Sequence, residues 1–213
     1  MASTPPPSAN GPAKPRSLTP IILILAITLA PFVFGTLAYY MPSLGLSPTS
    51  TTNYGTLVQP QRPMPSATEL PLVTLEGEPF DLTSLKGQWL LVSADASACP
   101  EECVRKLFVL RNSHASQGKH VDRISRVWFV TDDGKVSDEI LEAYKGTVML
   151  RADPARLTPF LAPDAAAGNE SALKAPMWII DPLGNLMMQF PPDADPIEVR
   201  DDIIKLLKNS RIG

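Results

Sequence analysis

The sequence predicts an α/β domain, with a mixed central sheet and helices on both faces, preceded by one transmembrane helix. Three observations lead there. Residues 20–41 form an uncharged 22-residue run. Beyond it, short apolar runs of strand character alternate with segments of helical spacing. The last two apolar runs are separated only by a tight turn, so the sheet cannot be purely parallel.

Composition divides the 213 residues sharply. Residues 1–68 hold three charges (Lys14, Arg16 and Arg62), no acid, and 12 of the 23 prolines. Residues 69–213 hold all 22 acids and 16 bases, a net charge of −6. The near balance gives no support for a nucleic-acid partner. Two cysteines are too few for a disulfide scaffold or an all-thiolate zinc site, and two histidines exclude a His-rich metal centre.

The run of 20–41 spans about 33 Å as a helix, enough for a hydrocarbon core of about 30 Å. It has no polar face, and Pro31 mid-span is tolerated in a membrane. It is longer than a signal-peptide core, begins nearly 20 residues in, and is followed by bulky Tyr39, Tyr40 and Met41. It therefore reads as a retained anchor. Lys14 and Arg16 flank its N-terminal side, and the other flank has no base until Arg62. The positive-inside rule places the N-terminus in the cytoplasm and the domain across the membrane. Residues 1–19 read as a disordered cytoplasmic tail, 42–68 as a flexible tether, and 69–213 as the domain.

Within the domain, Leu70–Leu75, a turn at Glu76–Pro79 and Phe80–Leu82 read as a short hairpin. Trp89–Val92 is continuously apolar, the pattern of a strand buried on both faces. Residues 100–116 take helical spacing and stop at Gly118. Val127–Val130 is a second buried strand, parallel to the first because a helix joins them. A helix over 137–145, a strand near Val148–Leu150 and a helix over Pro154–Leu161 follow. Met177–Ile180, a turn at Pro182–Asn185 and Leu186–Phe190 make an antiparallel pair. Ile197–Leu207 closes the chain as an amphipathic helix. Trp89, Trp128 and Trp178 fall in the strand runs and read as core.

Both cysteines, Cys99 and Cys103, lie four apart just past the carboxyl end of the first buried strand, where sites form in open α/β sheets. Pro100 suits the first helical turn and places Cys99 near the N-cap. A helix N-terminus lowers a thiol's pKa, and Glu101 and Glu102 oppose that effect. Such a pair forms a disulfide or, when reduced, offers two soft ligands to Cu(I). Two inert structural cysteines remain an alternative. Asp132-Asp133-Gly134 reads as a solvated turn.

Several segments then resemble one family. Asn53-Tyr54-Gly55, the stretch Glu78-Pro79-Phe80-Asp81-Leu82-Thr83-Ser84-Leu85-Lys86-Gly87-Gln88-Trp89, the Cys-x3-Cys pair and Ile180-Asp181-Pro182-Leu183-Gly184 are similar to the Sco/SenC proteins, over about residues 53–207. The resemblance implies a membrane-tethered, thioredoxin-like domain that assists assembly of the copper centre of cytochrome c oxidase. Its implied partners are oxidase subunit II or other assembly factors. It implies copper binding or thiol–disulfide exchange at Cys99 and Cys103, with Pro176 in the place of the proline that faces the pair. In a bacterium it implies anchorage in the inner membrane, with the domain in the periplasm.

Two departures bear on copper. Val104 stands where the family has a second proline, and Leu173 stands where it has the distal copper-ligand histidine. His114 lies 11 residues past Cys103, about 16 Å along a helix. His114 and His120 thus read as exposed polar residues at the helix end. Met177, Met187 and Met188 near the late hairpin are soft thioethers that read as packing. Three functions stay open: a thiol–disulfide redox protein in which Cys99 attacks and Cys103 resolves, a Cu(I) metallochaperone using the same two sulfurs, and an assembly scaffold with a permanent disulfide.

Overall fold

The computed structural model describes residues 17–41, 53–174 and 176–213. The expected cytoplasmic tail and the tether over 42–52 lie outside the described residues, apart from 17–19. The chain divides into two units, Met1–Thr51 and Thr52–Gly213.

The first unit contains α1 (Thr19–Tyr40), 22 residues with Pro20 in its first turn and no buried residue. It is long and apolar enough to cross a membrane. The hydroxyls of its two interior threonines are satisfied within the helix. Thr28 donates to the carbonyls of Ile24 and Leu25, and Thr36 to that of Phe32. Hydrocarbon demands such internal satisfaction, since it offers no partner to a free hydroxyl.

The second unit is built on one eight-stranded sheet. Its strands are β1 (Thr56–Pro63), β2 (Leu72–Thr74), β3 (Pro79–Phe80), β4 (Trp89–Asp95), β5 (Ile124–Val130), β6 (Thr147–Ala152), β7 (Met177–Ile180) and β8 (Asn185–Phe190). Their order is β1-β8-β7-β4-β5-β6-β2-β3. β4, β5 and β6 are parallel, with Val92 opposite Val127 and Phe129 opposite Leu150. β7 lies antiparallel to β4, and β8 antiparallel to β7. The mixed sheet expected from the helix crossover and the tight turn is the one formed.

Alternate residues of the central strands feed two apolar layers, as the two-residue period of a strand requires. Leu91, Trp128, Val130 and Ile179 enter one layer, closed by α2 (Glu101–Ala115) and α6 (Pro196–Asn209) through Leu107, Leu110, Val199 and Ile203. Leu90, Val92, Phe129 and Trp178 enter the other, closed by α4 (Pro154–Leu161) and α5 (Glu170–Lys174). The short α3 (Asp138–Ala143) starts at Ser137, whose hydroxyl accepts from Ile140 N–H. Asp153 and Asp195 cap α4 and α6 in the same way, satisfying donors that a helix start leaves free. α5 was not expected from sequence, being only one turn and a half of ordinary polar composition.

One boundary needs correction. Residues 53–68, read from sequence as part of the tether, belong to the folded unit. β1 pairs antiparallel with β8, Thr56 opposite Gln189 and Arg62 opposite Leu186. Gly55 N–H donates to the buried Asp202 carboxylate at 2.8 Å, and Asp195 N–H to the Tyr54 hydroxyl at 3.1 Å. Met64 is buried. Pro60 and Pro63 disguise the strand in the sequence, yet an edge strand tolerates residues that donate nothing to a ladder. Gly55 is dictated by close approach, because a Cβ there would lie 2.7 Å from Met188 Sδ.

Candidate functional site

β4 is buried at every position and delivers the chain to the carboxyl edge of the sheet at Asp95. Residues 96–100 then turn into α2. Cys99 N–H closes on the Ala96 carbonyl at 3.0 Å, and Cys99 takes φ 39°, the only described non-glycine residue in the left-handed region. That conformation is disfavoured for a side-chain-bearing residue and persists where its surroundings hold it. Pro100 is the helix N-cap, which leaves Cys99 one residue outside the helix rather than at its cap, while Cys103 is the third helical residue. Cys99 and Cys103 are joined by a disulfide, with Cα atoms 5.0 Å apart. Cys99 is 6% exposed and Cys103 fully buried. Glu101 and Glu102 are exposed in the first turn of α2.

The turn after β5 grips this loop. Asp132 Oδ1 accepts from Ser97 N–H at 2.9 Å and from Gly134 N–H at 3.2 Å, and Thr131 N–H donates to the Asp95 carbonyl at 3.0 Å. Arg151 braces the turn from β6, donating to the carbonyls of Asp132 (2.7 Å) and Gly134 (3.0 Å). Gly134 passes so close to Ser97 that a Cβ would collide with the Ser97 hydroxyl. Burial alone would raise the Asp132 carboxyl. The bonds from Ser97 and Gly134 and the nearby Arg151 outweigh it and hold the carboxyl below its ordinary value. The segment expected as a solvated turn is therefore exposed, and it also clamps the disulfide loop.

Beneath the loop lies a buried ion pair, Asp95 Oδ2 to Lys106 Nζ at 2.6 Å. Burial pushes the Asp95 carboxyl up to about 6 against the pull of Lys106. The same burial pushes the Lys106 ammonium down, opposed by Asp95. Sequence reading passed over both residues. The available signal was positional: Lys106 lies three residues from Cys103 and four from Leu110, on the stripe that α2 turns inward.

The remaining candidates fall in different places. Pro176 is buried at the entry to β7 and lines a cleft of about 440 Å³ with Arg62, Leu161, Gln189 and Pro192. Neither cysteine lines that cleft. Met177, the next residue, is buried in the same apolar layer as Cys99 and Cys103, with Met188, while Met187 packs against that layer half-buried. His114 and His120 are half-buried rather than exposed. Burial and the Arg126 charge push the His114 imidazole down, and His120 Nδ1 lies 3.3 Å from an Arg123 guanidinium nitrogen. Leu173 is fully buried in the layer that holds Leu90, Val92 and Trp178, opposite the layer of the cysteines.

The donor set decides what metal the site suits. Among the described residues, no group of three His, Cys, Asp or Glu side chains comes together. Two thiolates, available after reduction, suit Cu(I); they lack the nitrogen ligand that would favour Cu(II). Leu173→His is expected not to supply it. A polar ring placed in that dry layer should instead cost about 2–5 kcal/mol of stability, in the range of other large core disruptions. Urea melts and a Cu(II) titration of the variant check this; an unchanged midpoint with a gain in Cu(II) affinity would show that the side chain reaches the cysteines.

The family described as "transmembrane-like, thioredoxin-like, C-terminal domain" matches residues 89–210, more than half of the chain. The chain belongs to that family. No curated protein matches the sequence. The expected thioredoxin-like fold has counterparts in solved structures. Copper-bound ScoI of Arabidopsis thaliana superposes with a TM-score of 0.52 at 15% identity, covering 70% of this chain and 99% of that one. Yeast Sco1 gives 0.52 at 15%, covering 72% and 98%. A thiol:disulfide interchange protein from Bacteroides sp. gives 0.50 at 15%, covering 71% and 91%. This thioredoxin-like chain thus shares its fold with Sco proteins, and its bridge sits where β4 gives way to α2.

Proposed function

We propose that this protein is a membrane-anchored thiol–disulfide redox protein of Sco type, held in the inner membrane by α1 with its domain in the periplasm. Its proposed task is assembly of the copper centre of cytochrome c oxidase, with subunit II or other assembly factors as partners. One observation carries the reading: a disulfide at the carboxyl edge of a buried strand that joins a helical, fully buried Cys103 to Cys99, 6% exposed and held in a left-handed turn just before the helix. A bridge meant only to hold the fold has no need of that asymmetry. The thioredoxin-like fold and the Sco likeness support the same reading.

In the proposed cycle the reduced domain presents a Cys99 thiolate, which attacks one sulfur of a client disulfide and expels the other as a thiolate. Cys103, deprotonated, then attacks the Cys99 sulfur. The client leaves as a dithiol and the Cys99–Cys103 bridge re-forms, two electrons having passed to the client. An external dithiol donor must reduce the bridge for the next turn. Pro176 is proposed to shape the opposite wall.

Equilibration of the full chain with glutathione redox buffers tests this. The expected potential lies above about −300 mV, in the range of exchangeable bridges; a lower value marks a permanent structural bridge and sinks the redox reading. The membrane topology has its own check. A reporter enzyme active only in the periplasm, fused after Gly213, is expected to be active, whereas activity from a cytoplasm-only reporter there overturns the orientation.

A second reading is favoured by the two adjacent sulfurs and by Met177 in the same layer. Reduced Cys99 and Cys103 would then carry Cu(I) as cargo toward the oxidase. Anaerobic Cu(I) titration of the reduced chain, with Cys99→Ser as control, separates it from the first.

A further inference from the structure

Lys106 is 3% exposed, and its ammonium is fully engaged. Its nitrogen lies 2.6 Å from Asp95 Oδ2 and donates to the carbonyls of Ala94 (3.2 Å) and Lys174. The ammonium thus makes two hydrogen bonds to backbone carbonyls and one close ion pair. The partners belong to two segments and Lys106 to a third, and each of the three leads directly to a residue of the proposed site. Ala94 and Asp95 end β4, four residues before Cys99. Lys106 itself follows Cys103 by three residues on α2. Lys174 ends α5, two residues before Pro176.

Fold stability is a poor reason for this arrangement. Apolar residues of matching volume commonly replace a buried ion pair without loss, because desolvating two charges offsets most of their attraction. What an apolar replacement cannot supply is two directional hydrogen bonds and an ion pair from one atom. The other charged groups facing the pair are Glu102, in the first turn of α2, and Lys174, which itself pairs with Glu170.

We infer that Lys106 is a positioning residue of the redox site. It fastens the strand end that leads into Cys99, the helix that carries Cys103 and the segment that leads to Pro176. The inference rests on the redox reading above. When the bridge is open, the Lys106 bonds remain, and they keep the two thiols within bonding reach. Their mutual effective concentration stays high, which favours re-formation of the disulfide. A residue acting only on global stability would lower an unfolding midpoint and leave the potential of the folded protein unchanged.

The test uses the full chain in detergent and its Lys106→Met variant, equilibrated against glutathione. Methionine keeps the unbranched stem and removes all three attachments. The equilibrium constant for bridge formation is expected to fall about tenfold, a rise in potential of about 30 mV. If the single variant does not fold because Asp95 is left alone, the double variant Asp95→Asn/Lys106→Met, with no unpaired buried charge, takes its place with the same expectation. Hydrogen exchange on the unmodified chain adds a measurement that needs no variant: amides beside Asp95 and Lys174 should stay as protected in the reduced protein as in the oxidised one. Constants within threefold of the unmodified chain, or loss of that protection on reduction alone, overturn the inference. If the unmodified chain fails to exchange with glutathione, the redox reading falls and takes the inference with it. If it exchanges and the variants match it, only the role of Lys106 falls.

Discussion

A chain shortened to begin at Glu69 is expected to lose most of its folding stability, while one beginning at Asn53 keeps it. The shorter chain lacks β1, so β8 becomes an open edge over Asn185–Phe190. It also lacks Gly55, whose N–H donates to Asp202, a carboxylate on a residue only 1% exposed. A hydrogen bond to a charged group is worth about 1.5–3 kcal/mol, and its loss leaves Lys205 as the nearer compensation for that charge. Met64 goes, and Met188 and Phe190, packed beneath Gly55, face water. Each large apolar side chain re-exposed costs about 1.5–3 kcal/mol. Losses of this size compete with a total folding stability of about 5–15 kcal/mol. The unpaired edge also invites association between copies. Urea melts and light scattering of the two chains check this. Equal midpoints and equal solubility would show that β1 contributes nothing to the fold.

Cys99→Ser is expected to reduce disulfide exchange with a model client to background, and Cys103→Ser to trap the mixed disulfide. The two sulfurs stand in unlike places. Both belong to one apolar layer, but Cys99 keeps 6% exposure in a turn whose Ser97 is held by the Asp132 carboxylate, whereas Cys103 is fully buried within α2. On the proposed redox reading, Cys99 is the sulfur a client disulfide should meet first. Both residues lie at the N-terminus of α2, where the helix field favours a thiolate, and exposed Glu101 and Glu102 limit the gain. The Cys99 thiol of the reduced chain should therefore titrate below the free value of about 8.5. Mass spectrometry of the trapped adduct and alkylation rates of the reduced chain decide the roles. Faster alkylation of Cys103 reverses them; no alkylation of either thiol without denaturant makes the bridge structural and ends the redox reading.

Much of the fold was legible because its signals are local. Trp89–Val92, Val127–Val130 and Met177–Ile180 are apolar without interruption, which marks strands covered on both faces, and all three lie at the centre of the sheet. The helical spacing after Cys99 and the turn at Pro182–Asn185 set the parallel and antiparallel pairings. The cysteine pair was legible for the same reason, since its place between a buried strand and a helix is written in adjacent residues.

What the tertiary structure decided are features whose cause lies far along the chain. Thr56–Pro63 has a strand's partner only because β8, more than 120 residues later, leaves an edge open. With two prolines and no apolar alternation, the segment carries no local mark of that fate. Lys106 reads alone as an ordinary surface lysine of a helix; Asp95 and the Lys174 carbonyl, reaching it from β4 and α5, make its burial affordable. Asp132 reads as a solvated turn residue until Ser97 N–H is brought to it across 35 positions. Leu173 reads as the site of a missing ligand until the sheet separates its layer from that of Cys99 and Cys103. Periodicity reports which face of an element is apolar, a property of neighbouring residues. Which distant group meets a polar atom on that face depends on the packing of the whole sheet, and no stretch of the sequence carries that information by itself.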